Sequence, residues 1–336
     1  MRFKIVLGVL MFAAPAIAQT QNAIPVTADN FNRAETDMYF AMFAKRGAFG
    51  KFIHLRELPL EGTGVRPNRD TLYSEAVFDL DAGPVRITLP KAGNRFMSMI
   101  VINEDHYVYE VDYTPGNYNF TRAEVGTHYV FMALRILIDL ANPKDVKEAH
   151  ALQDAVVVRQ KSAGKFAVPN WDPVSQKKMR DALLMMSATL PDLRRAFGAR
   201  FQVDQVRHLI GTAAAWGGNP DKDAIYLNVT PTKNDGSTVY RLNVPAKVPV
   251  NAFWSVTVYD AEGHLQKNQY NAYSLNSITG KKNSDGTVSV QFGGCDGKIP
   301  NCIPTIRGWN YMVRLYRPRD EILSGKWKFP EARPLN

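Results

Sequence analysis

The stretch FWSVTVYDAEG, from Phe253 to Gly263, gives the clearest indication of the fold in this chain. Its residue types alternate as on a half-buried β-strand. One predicted face carries Phe253, Ser255, Thr257 and Tyr259. The other carries Trp254, Val256 and Val258, and Asp260 to Gly263 supply turn residues. We therefore predict a central strand of a β-rich C-terminal third. Whether Trp254 and Tyr259 are core residues or a ligand platform stays open at this stage.

The first 18 residues have the composition of a secretory signal peptide. A basic start precedes the apolar run 5–14, and Ala16-Ile17-Ala18 resembles a cleavage site. The run is too short to anchor the chain in a bilayer. We predict cleavage after Ala18, a periplasmic or secreted location and no transmembrane anchor. A buried N-terminal helix is the alternative interpretation.

Charge and cysteine content limit the possible partners. The formal net charge of +9 comes from scattered basic residues, without an arginine-rich helix or an aromatic–basic RNA motif, which argues against nucleic acid binding. The two cysteines, Cys295 and Cys302, predict a disulfide in an exported protein. A metal site there would need further ligands, and the six histidines show no ligand spacing. We therefore predict no metal and no cofactor.

Short strands are predicted on both sides of a helical middle segment. Helices are predicted at 27–46, 143–153, 172–190, 192–198 and 203–215. Strands are predicted at 71–80, 85–89, 96–103, 106–112, 128–140, 156–158, 224–229, 238–243, 252–259, 271–278, 287–292 and 309–316, with hairpin turns at 234–236 and 284–286. This pattern predicts a mainly β protein with two β-sandwich or jelly-roll domains joined by a helical segment. The predicted divisions are a signal peptide at 1–18, domains at 19–160 and 219–336, and a connecting segment at 161–218.

Two polar segments could carry chemistry. Asn68 to Ser74 enters a strand with Arg69 and Asp70, which could orient a polar ligand or could simply anchor a loop. Asn103 to Tyr107 places Asp105 beside His106, which suits acid–base catalysis but also an ordinary turn. The familiar nucleotide-binding, zinc-protease and α/β-hydrolase motifs do not occur.

These segments resemble two families of unknown function. Asn68 to Ser74, Phe78-Asp79-Leu80, Gly83-Pro84 and Arg95-Phe96 resemble domain of unknown function 1254. Phe253 to Asp260, Asn268, Tyr273, Asp285-Gly286, Asn301 to Pro304, Arg314 to Pro318 and Trp327 resemble domain of unknown function 1214. The resemblance implies two β-sandwich or jelly-roll domains, often in exported bacterial proteins, and no agreed reaction. One departure is Cys302, which stands where the C-terminal family commonly has tryptophan.

Three functional hypotheses follow. The leading one is a periplasmic protein that binds a small polar or anionic, carbohydrate-like ligand between its β domains. The ligand-binding candidates are Arg69, Asp70, Tyr73, Trp254, Asn268 and Asn301. A hydrolase or other envelope enzyme is the alternative, with Asp70, Asp105 and His106 as candidate catalytic residues. A structural envelope partner without a small ligand is the third. The oligomeric state is left open.

Overall fold

A computed structural model describes residues 23–58, 60 and 66–335, so the predicted signal peptide at 1–18 lies outside the described residues. This described part of the chain is mainly β, with 28% strand and 20% helix. Within the described ranges, no helix combines the length and apolar character needed to cross a membrane.

The described residues of the N-terminal half form eight strands and three helices. In chain order these are α1 (Phe31–Lys45), β1 (Ile53–His54), β2 (Thr71–Asp79), β3 (Val85–Leu89), β4 (Met97–Asn103), β5 (Val108–Asp112), β6 (Gly116–Phe120), α2 (Arg122–Val125), β7 (Tyr129–Leu137), α3 (Pro143–Asp154) and β8 (Val157–Arg159). A five-stranded sheet in the order β1-β2-β7-β4-β5 packs on a three-stranded sheet in the order β6-β3-β8. Buried side chains such as Leu72, Phe78 and Val130 fill the space between them, as in a sandwich.

The middle of the chain adds a helical layer to this sandwich. Helices α4 (Pro173–Ser187) and α5 (Gln205–Ala214) pack against α1, and α1 covers the second face of the large sheet. There Phe43 stacks on Phe131 at 4.6 Å between ring centroids. A sheet that is apolar on both faces needs such a second cover. The segment 161–218 therefore does more than connect two domains.

The predicted helix at 192–198 is absent, and turns and bends occupy that segment. Pro191 precedes it, and Arg195 has a positive φ of 61° that interrupts helical geometry.

The C-terminal part is a second two-layer arrangement. Its elements are β9 (Ala224–Val229), β10 (Tyr240–Val244), β11 (Trp254–Tyr259), β12 (Ser274–Asn276), β13 (Val288–Phe292), β14 (Cys302–Ile303), β15 (Asn310–Tyr316), α6 (Asp320–Leu323) and β16 (Arg333–Pro334). One sheet has the order β12-β11-β15-β9 and the other β14-β13-β10-β16. Strand β11 is an interior strand, as predicted.

The predicted alternation along β11 is confirmed. Trp254, Val256 and Val258 lie in the core between the two C-terminal sheets. Phe253 and Tyr259 lie in clusters on the opposite face, which meets the N-terminal half.

The prediction that two turns close β-hairpins is wrong, because the strands on either side of each turn do not pair with each other. Residues 234–236 and 284–286 do form turns, but each connects strands that belong to different sheets. Asn–Asp–Gly and Ser–Asp–Gly chemistry favours a local reversal of the chain. The buried faces of the strands decide which strand becomes the neighbour.

The outward face of β11 and β15 forms a seam with the N-terminal half. Phe253 stacks on Tyr316 at 4.2 Å, and Phe96 of the N-terminal half meets Phe253 at 5.2 Å between ring centroids. Leu137 at the end of β7 belongs to the same buried cluster. We call this surface of contact the domain seam.

Candidate functional site

The most polar part of the domain seam is centred on Asp70, directly before β2. Asp70 is fully buried. Its amide donates to Oδ1 of Asn68 at 2.7 Å, and its carbonyl accepts from the amide of Ile138 at 3.0 Å. Its Oδ1 accepts from Nδ2 of Asn276 in the C-terminal part at 3.3 Å. Its Oδ2 is buried without a hydrogen-bond partner among the residues that the structure describes.

Opposite Asp70, strand register places a row of polar side chains across the C-terminal sheet. Ser255 of β11 pairs with Asn276 of β12 on one side and with Arg314 of β15 on the other. Tyr226 of β9 continues the row beside Arg314. Because paired residues of adjacent strands point to the same face, the row projects into the seam. The hydroxyl of Ser255 is buried and, within the described chain, has no hydrogen-bond partner.

Arg314 provides the positive charge that faces Asp70. It is almost fully buried and donates to Oγ1 of Thr257 at 3.0 Å and to the hydroxyl of Tyr259 at 2.8 Å. It also donates to the carbonyl of Arg66 at 2.9 Å, across the seam. These contacts satisfy the guanidinium within the protein.

Burial raises the pKa of the Asp70 carboxyl group, because the low-dielectric seam disfavours its charged form. The charge of Arg314 opposes this shift, as do the polar side chains of Ser255 and Asn276.

A second buried arginine lies in the N-terminal sheet. Strand register places Arg135 of β7 between Tyr73 of β2 and Ser98 of β4. Its guanidinium donates to Oδ1 of Asn219 at 2.6 Å, to the carbonyl of Gly217 at 3.1 Å and to the hydroxyl of Tyr73 at 3.3 Å. Among the residues that the structure describes, the seam therefore contains two buried arginines, Arg135 and Arg314, and each donates to protein acceptors.

The sequence patterns did not identify Arg135, Ser255 and Asn276 as site residues, and they singled out Arg314 only within the segment that resembles domain of unknown function 1214. A usable signal existed for the two arginines, because each interrupts an otherwise apolar strand pattern. A charged side chain in a buried strand is rare unless it is paired.

The structure brings only some of the predicted ligand-binding residues together. Asp70 and Tyr73 lie in the seam. Arg69 lies at its border, where its guanidinium stacks over the ring of Tyr273 at 5.3 Å and bonds to the carbonyl of Leu58.

Three predicted residues lie elsewhere. Trp254 points into the C-terminal core beside Phe329, at 5.9 Å between ring centroids. Trp254 is therefore a core residue and not a ligand platform. The side chain of Asn301 bridges the backbone of Lys281 and Ser289. Both side chains therefore have structural roles within the C-terminal part.

Asn268 organises a loop. Its Oδ1 accepts from the amides of Tyr270 at 3.1 Å and Ala272 at 3.2 Å. It also lines a small pocket of about 40 Å³ together with Tyr273. This volume suits a water molecule or two and is too small for a sugar ring.

Asp105 and His106 share no contact with Asp70. The carboxylate of Asp105 pairs with Arg33 at 2.7 Å. The buried ring of His106 lies 2.8 Å from Oγ1 of Thr212 through Nδ1 and accepts from the amide of Gly217 at 2.9 Å through Nε2. Burial holds the pKa of His106 well below its usual range, so its ring is neutral. The three candidate catalytic residues thus do not form one constellation.

The predicted disulfide between Cys295 and Cys302 is present. Within the ranges that the structure describes, histidine, cysteine and carboxylate side chains form no group that could hold a metal ion.

Two solved structures share the architecture. The VPA0106 protein from Vibrio parahaemolyticus aligns with a TM-score of 0.70 at 18% sequence identity, covering 91% of this chain and 98% of its own. An uncharacterised protein from Burkholderia cenocepacia aligns with a TM-score of 0.52 at 14% identity, covering 92% of this chain and 88% of its own. At these identities the likeness shows the fold alone.

Family models match both parts of the chain. Residues 49–117 match Protein of unknown function (DUF1254), and residues 224–320 match Protein of unknown function (DUF1214). A comparison with curated proteins finds no match. The chain therefore carries, in this order, a segment that matches DUF1254 and a segment that matches DUF1214, both domains of unknown function.

Proposed function

We propose that this protein binds a small, neutral polyhydroxy ligand in the domain seam, at Asp70 and Ser255. The supporting observation is that Oδ2 of Asp70 and Oγ of Ser255 are both buried and, apart from a weak contact between these two side chains that falls outside ordinary hydrogen-bond geometry, both lack a partner among the described residues. A buried polar atom without a partner costs about 1–3 kcal/mol. A hydroxyl group suits this pair, because it can donate to the carboxyl group and accept from the serine.

The charges of the seam favour a neutral ligand over an anion. Arg314 and Arg135 already donate to protein acceptors, so neither guanidinium needs an anionic partner. An anion at Ser255 would also face Asp70. Of the polar or anionic ligands expected from the sequence, these charges therefore favour a neutral, carbohydrate-like ligand.

Aromatic rings support the same class of ligand. Tyr73, Tyr226, Tyr259 and Tyr316 all contribute to the seam, and Asn68 donates to the hydroxyls of Tyr73 at 3.1 Å and Tyr316 at 3.2 Å. Such rings combine an apolar face with a polar tip, which suits the mixed surface of a sugar. Because Asp70 and Ser255 are fully buried, the ligand enters when the two halves separate slightly along the seam.

The binding test uses thermal unfolding in the presence of glucose, galactose, myo-inositol and glycerol, with gluconate as the anionic comparison. A ligand that binds only the folded protein raises the unfolding temperature. We expect a neutral compound to do so and gluconate to have a smaller effect. Ser255→Ala should weaken binding about twofold to tenfold, since it removes one neutral hydrogen bond.

Ser289→Ala is the matched control, because Ser289 lies on β13 in the other C-terminal sheet and donates to Asn243 at 3.1 Å. It should leave binding unchanged. Asp70→Asn should also weaken binding, since it replaces the carboxyl group that would accept from the ligand. Unchanged ligand affinity in both seam variants, or no stabilisation by any neutral compound, would contradict the proposal.

We place this function outside the cytoplasm, in the periplasm or the medium. The support is the composition of residues 1–18 and the disulfide between Cys295 and Cys302.

Of the three candidate catalytic residues of the enzyme hypothesis, only Asp70 lies in the seam. Asp105 and His106 have other partners.

A further inference from the structure

A second concave site lies on the N-terminal sandwich, where the β3–β4 and β5–β6 connections meet. It has a volume of about 270 Å³ and is lined by residues 89–93, 95, 97 and 113–115. This is close to the lower size of about 300 Å³ for small-molecule pockets. None of its lining residues contributes to the Asp70–Ser255 pair.

The lining of this groove is apolar. Leu89 and Met97 form buried parts of its wall, and Pro90 and Pro115 add rigid apolar surface. The ring of Tyr113 closes one side. Its hydroxyl already donates to Asp223 at 2.8 Å, so the ring contributes mainly its apolar body. Such walls suit a short aliphatic or aromatic group.

All the charged side chains that line the groove are cationic. Arg95 is neutralised by Asp145 at 2.6 Å and Glu148 at 3.1 Å. Lys91 is exposed and forms no ion pair within the described ranges. Beyond the lining, the guanidinium of Arg317 stacks over the outer face of Tyr113 at 4.5 Å from the ring centroid. The groove therefore combines apolar walls with an uncompensated ammonium group at its rim.

From this combination we infer that the groove binds a small amphipathic carboxylate, with its apolar part against Leu89, Met97 and Tyr113 and its carboxylate beside Lys91. The site borders the seam at Tyr113 but is distinct from the Asp70–Ser255 pair, and its ligand differs in charge from the one proposed there. Apolar contact holds the chain of the ligand, and the charge of Lys91 orients it.

Saturation-transfer NMR and calorimetric titration of the full chain test this site, with hexanoate as the probe. Hexanamide has the same apolar part without the charge, and acetate has the charge without the apolar part. We expect hexanoate to bind most tightly. Each methylene group buried in the groove should tighten binding about fourfold.

Lys91→Gln should weaken hexanoate binding about fivefold and leave hexanamide binding unchanged, as expected for one solvent-screened charge pair. Lys282→Gln is the matched control, since Lys282 is an exposed lysine of the C-terminal part. It should change neither. Ser255→Ala and Asp70→Asn should also leave hexanoate binding intact, which separates this site from the seam. Equal affinity for hexanoate and hexanamide, an unaffected Lys91→Gln variant, or no saturable hexanoate binding would overturn the inference.

Discussion

At the residue scale, the main feature of this protein is the number of polar groups that it buries. Asp70, Arg135 and Arg314 lie in the seam, and Asp37 lies under the helical layer. Each carries a desolvation cost that only specific partners offset. Asp70 and Asp37 each keep one carboxylate oxygen without a hydrogen-bond partner among the described residues. These carboxyl groups are therefore among those in which protonation is coupled to folding.

Asp37 gives a prediction about pH. Burial raises its pKa to about 7, against the opposing hydrogen bond from Nε1 of Trp171 at 2.8 Å. Between about pH 4 and about pH 7 the folded chain therefore holds a proton that the unfolded chain has lost. The free energy of unfolding should fall as the pH rises through this window, by about 1.4 kcal/mol per pH unit from this group.

Asp37→Asn mimics the protonated side chain and should flatten this slope. Urea denaturation at a series of pH values measures it, and the variant should be the more stable protein above the folded pKa. Asp181→Asn, which changes an exposed carboxylate on α4, should keep the slope of the unmodified protein. Parallel stability profiles for Asp37→Asn and the unmodified protein would show that Asp37 is not the group responsible.

At the scale of the element, β11 shows how one strand serves two environments. Val256 is fully buried between the C-terminal sheets. Its neighbour Thr257 is also fully buried but faces the seam, where its hydroxyl accepts from Arg314 at 3.0 Å. Because both residues are buried, exposure alone does not distinguish them, and only the direction of each side chain does.

A pair of reciprocal substitutions tests this division. Val256→Thr places an unpaired hydroxyl in an apolar core, and Thr257→Val leaves one donor of Arg314 without an acceptor. Each should lower the free energy of unfolding by about 1–3 kcal/mol. A ranking by hydrophobicity or strand propensity alone would predict that Thr257→Val is harmless.

Urea denaturation with a common slope measures both variants. Thr88→Val on the outward face of β3 is the control, since its hydroxyl donates to Asn117 near solvent, and it should change stability by less than about 0.5 kcal/mol. If Thr257→Val is as stable as the unmodified protein, the bond between Thr257 and Arg314 has no role in folding.

At the scale of the whole molecule, buried hydrogen bonds across the seam connect the two β domains, and we expect the domains to unfold as one cooperative unit. Arg314 of β15 donates to the carbonyl of Arg66, and Asn276 of β12 donates to Asp70. The hydroxyl of Tyr259 donates to the carbonyl of Pro67 at 2.8 Å. These bonds run between segments that are far apart in sequence, so neither domain satisfies its own polar groups alone.

Arg314→Met should therefore separate the unfolding of the two domains. It leaves Asp70 without its compensating charge, which should cost about 3–5 kcal/mol. Hydrogen exchange at increasing urea concentration should show β7 and β15 opening together in the unmodified protein and at different concentrations in the variant.

Two further variants control this experiment. Arg241→Met removes an exposed arginine from β10 and should leave the transitions together. Asp70→Asn combined with Arg314→Met should recover part of the lost stability, because no unpaired charge then remains. Separate transitions already present in the unmodified protein would refute the idea that the seam couples the domains.

Much of the fold could be predicted from residue patterns. The strands β2, β3, β9 and β15 lie within a residue of their predicted bounds, because alternation and turn residues act over a few positions. Strand β16 was missed because two residues carry no periodicity, and β6 was missed because its sequence GNYNF is rich in glycine and asparagine, which disfavour strands. The partners of the strands after the two Asp–Gly turns were also wrong, because pairing depends on distant segments.

By itself, the sequence determined the β character of the protein, the two faces of β11, the cysteine pair and the resemblance to two domain families. Each of these depends on residues close together in the chain or on a recognisable motif. Only the tertiary structure decided that Asp70 meets Ser255, Asn276 and Arg314, and that Trp254 is a core residue. The physical reason is that strand register and domain packing bring these side chains together across about two hundred residues, and no local pattern encodes that distance.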